Sequence, residues 1–204
     1  MTGITRRIAE FAAAISGQSV PADAIDRTQM LVMDNVGIAL RARHDAESTP
    51  ALVKGAMALG LDGGNSVAIG DRRDFTPAGA ALINGTLAHS LDFDDTHAPS
   101  SLHPSAPIVP AALAAAEMAG ADGEELIPAI IAGYEIQIRL SLALGPSDHY
   151  DRGFHPTATC GVFGAAAAAG RLFCLDPDRM ELAFGIALSQ SAGSMQFLAD
   201  GAWT

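Results

Sequence analysis

The chain has a single lysine, Lys54, and not one lysine or arginine between Phe75 and Ile138. Its formal net charge is -11. Nucleic acids and anionic membrane surfaces are recognised through basic patches, so both fall outside the expected partners. An anion bound by the cation-free stretch must be met by histidine, by backbone N–H groups or by charge from elsewhere. Aromatic residues are also scarce, at 5%. Only two cysteines are present, Cys160 and Cys174. They stand among small apolar residues without metal-ligand spacing and read as buried, reduced thiols. The start, MTGITRRIAEF, leads into an amphipathic pattern and not a secretory apolar core. No run reads as membrane-spanning, and Gly153–Gly170 is too rich in Ala, Gly and Thr for lipid. A cytoplasmic location is the expectation.

What remains is apolar and small: 49% hydrophobic residues and 17% charged, with many alanines and 21 glycines. That suffices for a sizeable core, and small residues allow close helix crossings. Ile4, Ile8, Phe11 and Ile15 repeat at helical spacing, with Thr2 as a cap. Pro21 opens a second helix with Ile25, Thr28, Leu31, Val32, Val36 and Leu40 inward. Further helices are predicted from Thr49 to about Gly60, from Thr76-Pro77 to His89, and from Pro110 to Met118. Asp62–Asn65 reads as a turn, and Ser66–Gly70 as a short extended piece. Asp122 caps a long helix, Gly123–Leu144, with Glu124 and Glu125 in its first turn and Ile127, Ile130, Ile131, Tyr134, Ile138 and Leu142 inward. Two more helices follow, one to about Leu172 and one from Asp176-Pro177 that carries Met180, Phe184, Ile186 and Leu188. The fold class is all-α: one helical domain over residues 1–204, without the alternating strands of a parallel sheet.

Polar residues gather in two loops. The first holds His89, Asp92, Asp94, Asp95, Thr96, His97 and His103. The second holds His149, Asp151, Arg152 and His155. Five of six histidines lie in or beside these loops; His44 reads as a solvated surface residue. Loops at one end of a helical bundle can build a site, and carboxylate with imidazole is the usual equipment for proton transfer. Two blander readings compete: a solvated helix end, and a metal site at Asp94 and Asp95 serving a hydrolase. The histidines lack the i, i+4 spacing of a tight metal pair, and no metal is assigned. The glycines around His155 lack the lysine of a phosphate loop.

Four segments carry a resemblance: NGTLAHSLDFDDTH (Asn84–His97), LHPSAPIVPAALAAAEMAG (Leu102–Gly120), GYEIQIRL (Gly133–Leu140) and GFHPTATCGVFGAAAAAG (Gly153–Gly170). They resemble the MmgE/PrpD family, which includes 2-methylcitrate dehydratase, cis-aconitate decarboxylase and iminodisuccinate epimerase. The resemblance implies a large helical domain, small polycarboxylate substrates, no organic cofactor and a homodimer. The active-site Asp, Thr and His of the decarboxylase branch fall on Asp92, Thr96 and His103, with one extra residue between Thr96 and His103 relative to animal decarboxylases. The histidine of the later motif falls on His155. By chemistry, Asp92 and His155 are the candidates for proton transfer. Thr96 and His103 are the candidates to hold substrate carboxylate or hydroxyl groups, and Asp95, His97 and His89 are further candidates for substrate binding.

Family members are about twice this length, and the resemblance implies that an α/β lid and a lysine facing the substrate lie in their second half. The charge map agrees. A tricarboxylate beside Asp92, Asp94 and Asp95 is repelled by roughly 4 kcal/mol per close unit pair at intermediate dielectric. The expectation is a chain incomplete as a catalyst: a truncated product, an excised domain or one piece of a split enzyme. A non-catalytic helical subunit that associates with another chain is the alternative.

Overall fold

In the computed structural model, residues 3–200 are described. Ten α-helices and one small hairpin follow in order: α1 (Ile4–Ala14), α2 (Ala22–Asp45), α3 (Thr49–Ala58), β1 (Asp62–Val67), β2 (Asp74–Phe75), α4 (Pro77–His89), α5 (Ser105–Ala119), α6 (Gly123–Leu144), α7 (Pro146–Asp151), α8 (Pro156–Leu172), α9 (Pro177–Gln190) and α10 (Gln196–Asp200). The architecture is all-α, as the helical periodicity predicts. Thr2, the predicted first cap, lies outside the described residues; Gly3 is the N-cap of α1.

Local chemistry sets most boundaries. The Thr76 hydroxyl accepts the Gly79 N–H at the start of α4. Asp122 accepts from Glu124 and Glu125, and Glu125 reaches back to the Asp122 N–H, which closes a capping box. Asp176 accepts from Arg179. Pro77, Pro146, Pro156 and Pro177 occupy first-turn positions, where a missing N–H costs nothing.

Alpha-helices α4, α5, α6 and α8 pack in sequence as the centre of the molecule. One core region surrounds Phe75, Ile83 and Leu87 under α2 and α3. A second joins Ile108, Val109, Ile130 and Leu172 between α5, α6 and α8. A third joins Ala9, Ala12, Ile136, Met180 and Phe184 between α1, α6 and α9. The α6–α8 crossing is close enough that a Cβ on Gly133 would lie 2.8 Å from the Gly164 carbonyl oxygen. The abundance of small residues therefore has the structural use expected of it.

Some details differ from the sequence reading. The strand begins at Asp62, inside the predicted turn, and pairs with β2 through an irregularity between Asp62 and Ser66. Asn84 clasps the chain just beyond it, accepting the Ile69 N–H at 2.7 Å and donating to the Val67 carbonyl at 2.9 Å. Helix α5 starts at Ser105, five residues early, and runs through Pro110. Burial of its apolar face outweighs the hydrogen bond that proline cannot make. Several inward assignments shift by one helical step. Ile4 is 73% exposed, whereas Ala9 and Ala12 are buried. Leu40, Leu142, Ile186 and Leu188 are exposed, while Asn35, Ile38, Gln137 and Ser141 are buried. Cys160 is buried, but Cys174 is exposed at a left-handed position (φ 53°). Helix α6 has the length and apolarity to span a membrane by composition. Here it is the central helix: its buried Gln137 and Ser141 side chains donate to the Thr157 and Ser100 carbonyls.

Candidate functional site

The two polar loops meet where α4 ends and α8 begins. His89 is the last residue of α4. The chain turns at Asp92, which takes a left-handed backbone conformation (φ 55°), costly for a residue with a Cβ. That turn directs Asp94 inward and leaves the Asp92 side chain 85% exposed. A tight turn at 98–100, closed by a bridge between His97 and Leu102, then returns the chain. Leu102 is buried and anchors His103. The His103 N–H donates to Thr157 Oγ1 at 2.9 Å, and Gln137 donates to the Thr157 carbonyl at 3.3 Å. The first loop is thus fastened to the first turn of α8, whose N-cap is His155.

Asp94 is the hub, with no exposed side-chain surface. His89 Nδ1 lies 2.9 and 3.2 Å from its two carboxylate oxygens. His103 Nδ1 lies 3.5 Å away. That separation is long for a hydrogen bond, and this nitrogen is buried with no other partner. The His103 arm is therefore an ion pair more than a directed bond. His103 Nε2 sits 3.9 Å from Asp92 Oδ1 at the rim. Ring centroids are 4.9 Å apart for His89 and His103, and 6.4 Å from each of these to His155. Tyr150 packs edge-on against His155 at 5.7 Å.

Burial pushes the Asp94 carboxyl upward, but the facing imidazoles of His103 and His89 outweigh it and hold the group down at about 2. The Asp94 carboxylate raises His103 against its own burial. His155 is pushed down to about 4, first by burial and then by the positive charge of His89 and His103. Near neutral pH the cluster therefore combines an anionic Asp94, a His103 biased toward its cation and a neutral His155.

His155 titrates lower folded than unfolded, so between about pH 6.5 and pH 4 the unfolded chain binds a proton that the folded chain refuses. Stability falls as pH drops through that window. The contribution of Asp94 is present above its unfolded value of 3.8 and is lost only below that, toward pH 2. His103 acts oppositely, stabilising at low pH and losing that contribution as pH rises through its folded value. His155→Gln is expected to flatten the decline between pH 6.5 and 4, measured by urea unfolding at several pH values.

The structure brings together His89, His103 and His155, with Asp92 at the edge. It does not bring the other candidates into that cluster. Asp95 turns to α5 and α6: its Oδ1 accepts the Ser105 N–H at 3.0 Å, and its Oδ2 accepts from Tyr134 at 3.3 Å. Ser105 and Tyr134 are hydrogen-bonded to each other. Burial raises the Asp95 carboxyl, and burial with the charge of Asp95 raises the Tyr134 phenol. His97 Nδ1 pairs with Ser100 Oγ at 2.7 Å within its own turn. Thr96 is exposed. His149 bonds Thr159 at 2.7 Å. Asp94 and Asp95, paired in the metal reading, face different partners. Among the described residues, the set able to reach one ion is His89, Asp94 and His103, whose donor atoms lie within 4.8 Å of one another. Within that set His89 is hydrogen-bonded to Asp94 and His103 is ion-paired with it.

Beside the cluster lies a cavity of about 550 Å³ lined by Thr86, His89, His155, Thr157, Ser194 and Phe197 with small apolar residues of α4 and α5. Its lining includes no lysine or arginine. The segment around Gly193 forms one wall: the His155 N–H donates to the Gly193 carbonyl at 2.8 Å, and the Met195 N–H to the Gly153 carbonyl at 2.9 Å. No motif marks Gly193–Phe197, and three aspartates in four positions cannot be told apart without the turn at Asp92. A larger groove of about 1200 Å³ runs from Ser16 to Pro128, but it is bordered by Asp122, Glu124 and Glu125 and holds no histidine.

Known proteins similar to this chain agree with one another. The cis-aconitate decarboxylase-like protein oryM of Aspergillus oryzae is 30% identical over 205 residues, covering 97% of this chain and 42% of the relative. Cis-aconitate decarboxylase of Aspergillus terreus is 31% identical over 199 residues, covering 95% and 40% respectively. Human cis-aconitate decarboxylase is 35% identical over 123 residues, covering 58% and 25%. The chain spans about two fifths of the length of the fungal relatives. Residues 6–204 match the MmgE/PrpD N-terminal domain, and the chain belongs to the MmgE/PrpD family.

Proposed function

We propose that this domain supplies the acid/base wall of a lyase acting on small polycarboxylates, by decarboxylation of the cis-aconitate type or dehydration of the 2-methylcitrate type. The observation that carries the reading is a cluster of three imidazoles, two of them paired with one buried carboxylate and two of them lining a cavity. Both reactions move a proton at a carbon next to a carboxylate. Loss of CO2 leaves a carbanion equivalent that must be protonated, and loss of water begins by removing a carbon-bound proton. His103, biased toward its cation by Asp94 and Asp92, is suited to hold a substrate carboxylate. His155, neutral near pH 7, is suited to proton transfer or hydrogen bonding. Asp92 and Thr96 stand at the solvent side of the same loop. The relatives' names support the decarboxylase branch.

One property of the cavity limits turnover. Its lining offers no fixed positive charge, so this chain meets a tricarboxylate with histidines alone. We expect the remaining charge to come from groups outside these 204 residues. The test is to incubate the chain with cis-aconitate and with 2-methylcitrate, in the presence of a chelator, and to follow CO2 release and loss of water. Slow turnover that ignores the chelator is expected. Rapid turnover by the chain alone would overturn the charge argument. Hydrolysis that the chelator abolishes would favour the metal-dependent alternative.

Association with a further chain or a second copy is a compatible reading. Met30, Met33 and Phe93 are exposed along one groove, flanked by Arg27 and Arg41. Apolar surface of this kind marks contact regions. Light scattering after size exclusion separates the cases, with a clean monomer counting against association.

A further inference from the structure

The two histidines that line the cavity, His89 and His155, are each held by Nδ1, and in opposite senses. Asp94 is an ionised carboxylate and can only accept hydrogen bonds. The proton in its 2.9 Å contact with His89 must therefore sit on His89 Nδ1. A neutral His89 then has a bare lone pair at Nε2. At His155 the partner is a donor: the Thr157 backbone N–H points at His155 Nδ1 from 3.2 Å. That nitrogen must keep its lone pair, so neutral His155 carries its hydrogen on Nε2. Among the described residues neither Nε2 has a hydrogen-bond partner, neither is a buried orphan, and both side chains line the cavity.

We infer that His89 and His155 are an opposed pair, in which His89, oriented by Asp94, accepts the carbon-bound proton and His155 donates its Nε2–H to an oxygen of the same substrate. This rests on the proposed proton transfer next to a carboxylate. In the deprotonating direction the C–H bond breaks and its electron pair passes into the adjacent carboxyl group as an enediolate. The proton forms the new N–H at His89 Nε2, and the resulting imidazolium is paired with Asp94. His155 hydrogen-bonds the oxygen that gains charge, as a neutral imidazole at a helix N-terminus does in other carbon-acid enzymes. In a decarboxylation His89 first takes a proton from solvent at Nε2; the C–CO2 bond breaks, its electron pair stays on the substrate as a carbanion equivalent, and the His89 imidazolium delivers the proton to it and is left neutral. Asp94 is the positioning residue: it fixes which His89 nitrogen is basic, as a buried aspartate fixes the histidine of a serine-protease triad. The low proton affinity of His155 agrees with a role as neutral donor.

The pair is tested by nitrogen NMR of the histidine side chains in the folded chain at a pH where the imidazoles are neutral, which reads which ring nitrogen is protonated and needs no turnover. Wild-type protein is expected to show His89 protonated at Nδ1 and bare at Nε2, with His155 the reverse. Asp94→Asn places an amide donor opposite His89 Nδ1 and is expected to move the His89 proton toward Nε2 while leaving His155 unchanged. General loosening of the site would alter both. Should Asp94→Asn fail to fold, the wild-type spectrum alone decides. A proton on His89 Nε2 in the wild type, or a His89 indifferent to Asp94→Asn, overturns the assignment. It does so even where exchange at substrate carbon is observed, so failure of the pair is separable from failure of the lyase reading.

Discussion

Gly133→Ala is expected to lower the unfolding free energy by about 1–3 kcal/mol, and Gly133→Leu by about 3 kcal/mol or more. A Cβ at this position meets Ile108 Cγ2 at 2.7 Å and the Gly164 carbonyl oxygen at 2.8 Å. The first is the end of a side chain and can shift. The second is backbone of the facing helix and can yield only if α6 and α8 separate. Gly164 shows the reciprocal contact, 2.9 Å to the Gly133 carbonyl oxygen, and Gly161 meets Pro107 at 2.9 Å. Gly185 provides the contrast. It lies inside α9 with nothing within 4 Å of an added Cβ. There Gly185→Ala should stabilise by about 0.5–1 kcal/mol, the ordinary helix preference. Denaturant unfolding of the two alanine variants should thus give opposite signs. Separation of α6 and α8 also strains the link from Gln137 through Thr157 to His103.

His89→Gln and His155→Gln are each expected to slow proton exchange at substrate carbon by about 10²–10⁴-fold, the range for removing a positioned acid or base. That corresponds to about 3–5 kcal/mol of lost barrier reduction. Glutamine keeps a polar end but carries no proton between carbon and solvent. The losses should not multiply fully in the double variant, because both side chains act on one bound molecule. His44→Gln is the control: it lies at the end of α2, outside the cluster. Exchange is read in deuterated water, as deuterium entering cis-aconitate or 2-methylcitrate beside a carboxylate. Asp95→Asn should behave differently. Its carboxylate holds the first N–H of α5 and the Tyr134 hydroxyl, so the main expected effect is on stability.

How far the sequence was legible depends on which interactions decide each feature. Helix ends governed by local caps were readable: Thr76, Asp122 and Asp176 each bond an N–H within three residues. Features decided by distant packing were not. Pro110 argued for a late start to α5, yet α5 passes through it because its face is buried. Gln137 and Ser141 are polar residues at core positions, and their partners, Thr157 and Ser100, lie 20 and 41 residues away. The site divides in the same way. The histidine-rich loops announced it, and His89, His103 and His155 do meet. The distribution of Asp92, Asp94 and Asp95 among rim, hub and helix start follows from one left-handed residue and from contacts across the fold. Loop composition carries no such information. The absence of lysine and arginine from Phe75 to Ile138 was legible from the start, and it reappears in the cavity lining.

The most direct measurement of the central claim is a titration of cis-aconitate into histidine-labelled protein, followed by NMR of the imidazoles. The account predicts weak, saturable binding that shifts His89, His103 and His155 together, leaves His44 unmoved, and is lost in His155→Gln. It would be contradicted by three imidazoles that stay silent through the millimolar range, or by binding that shifts other residues and leaves these three untouched.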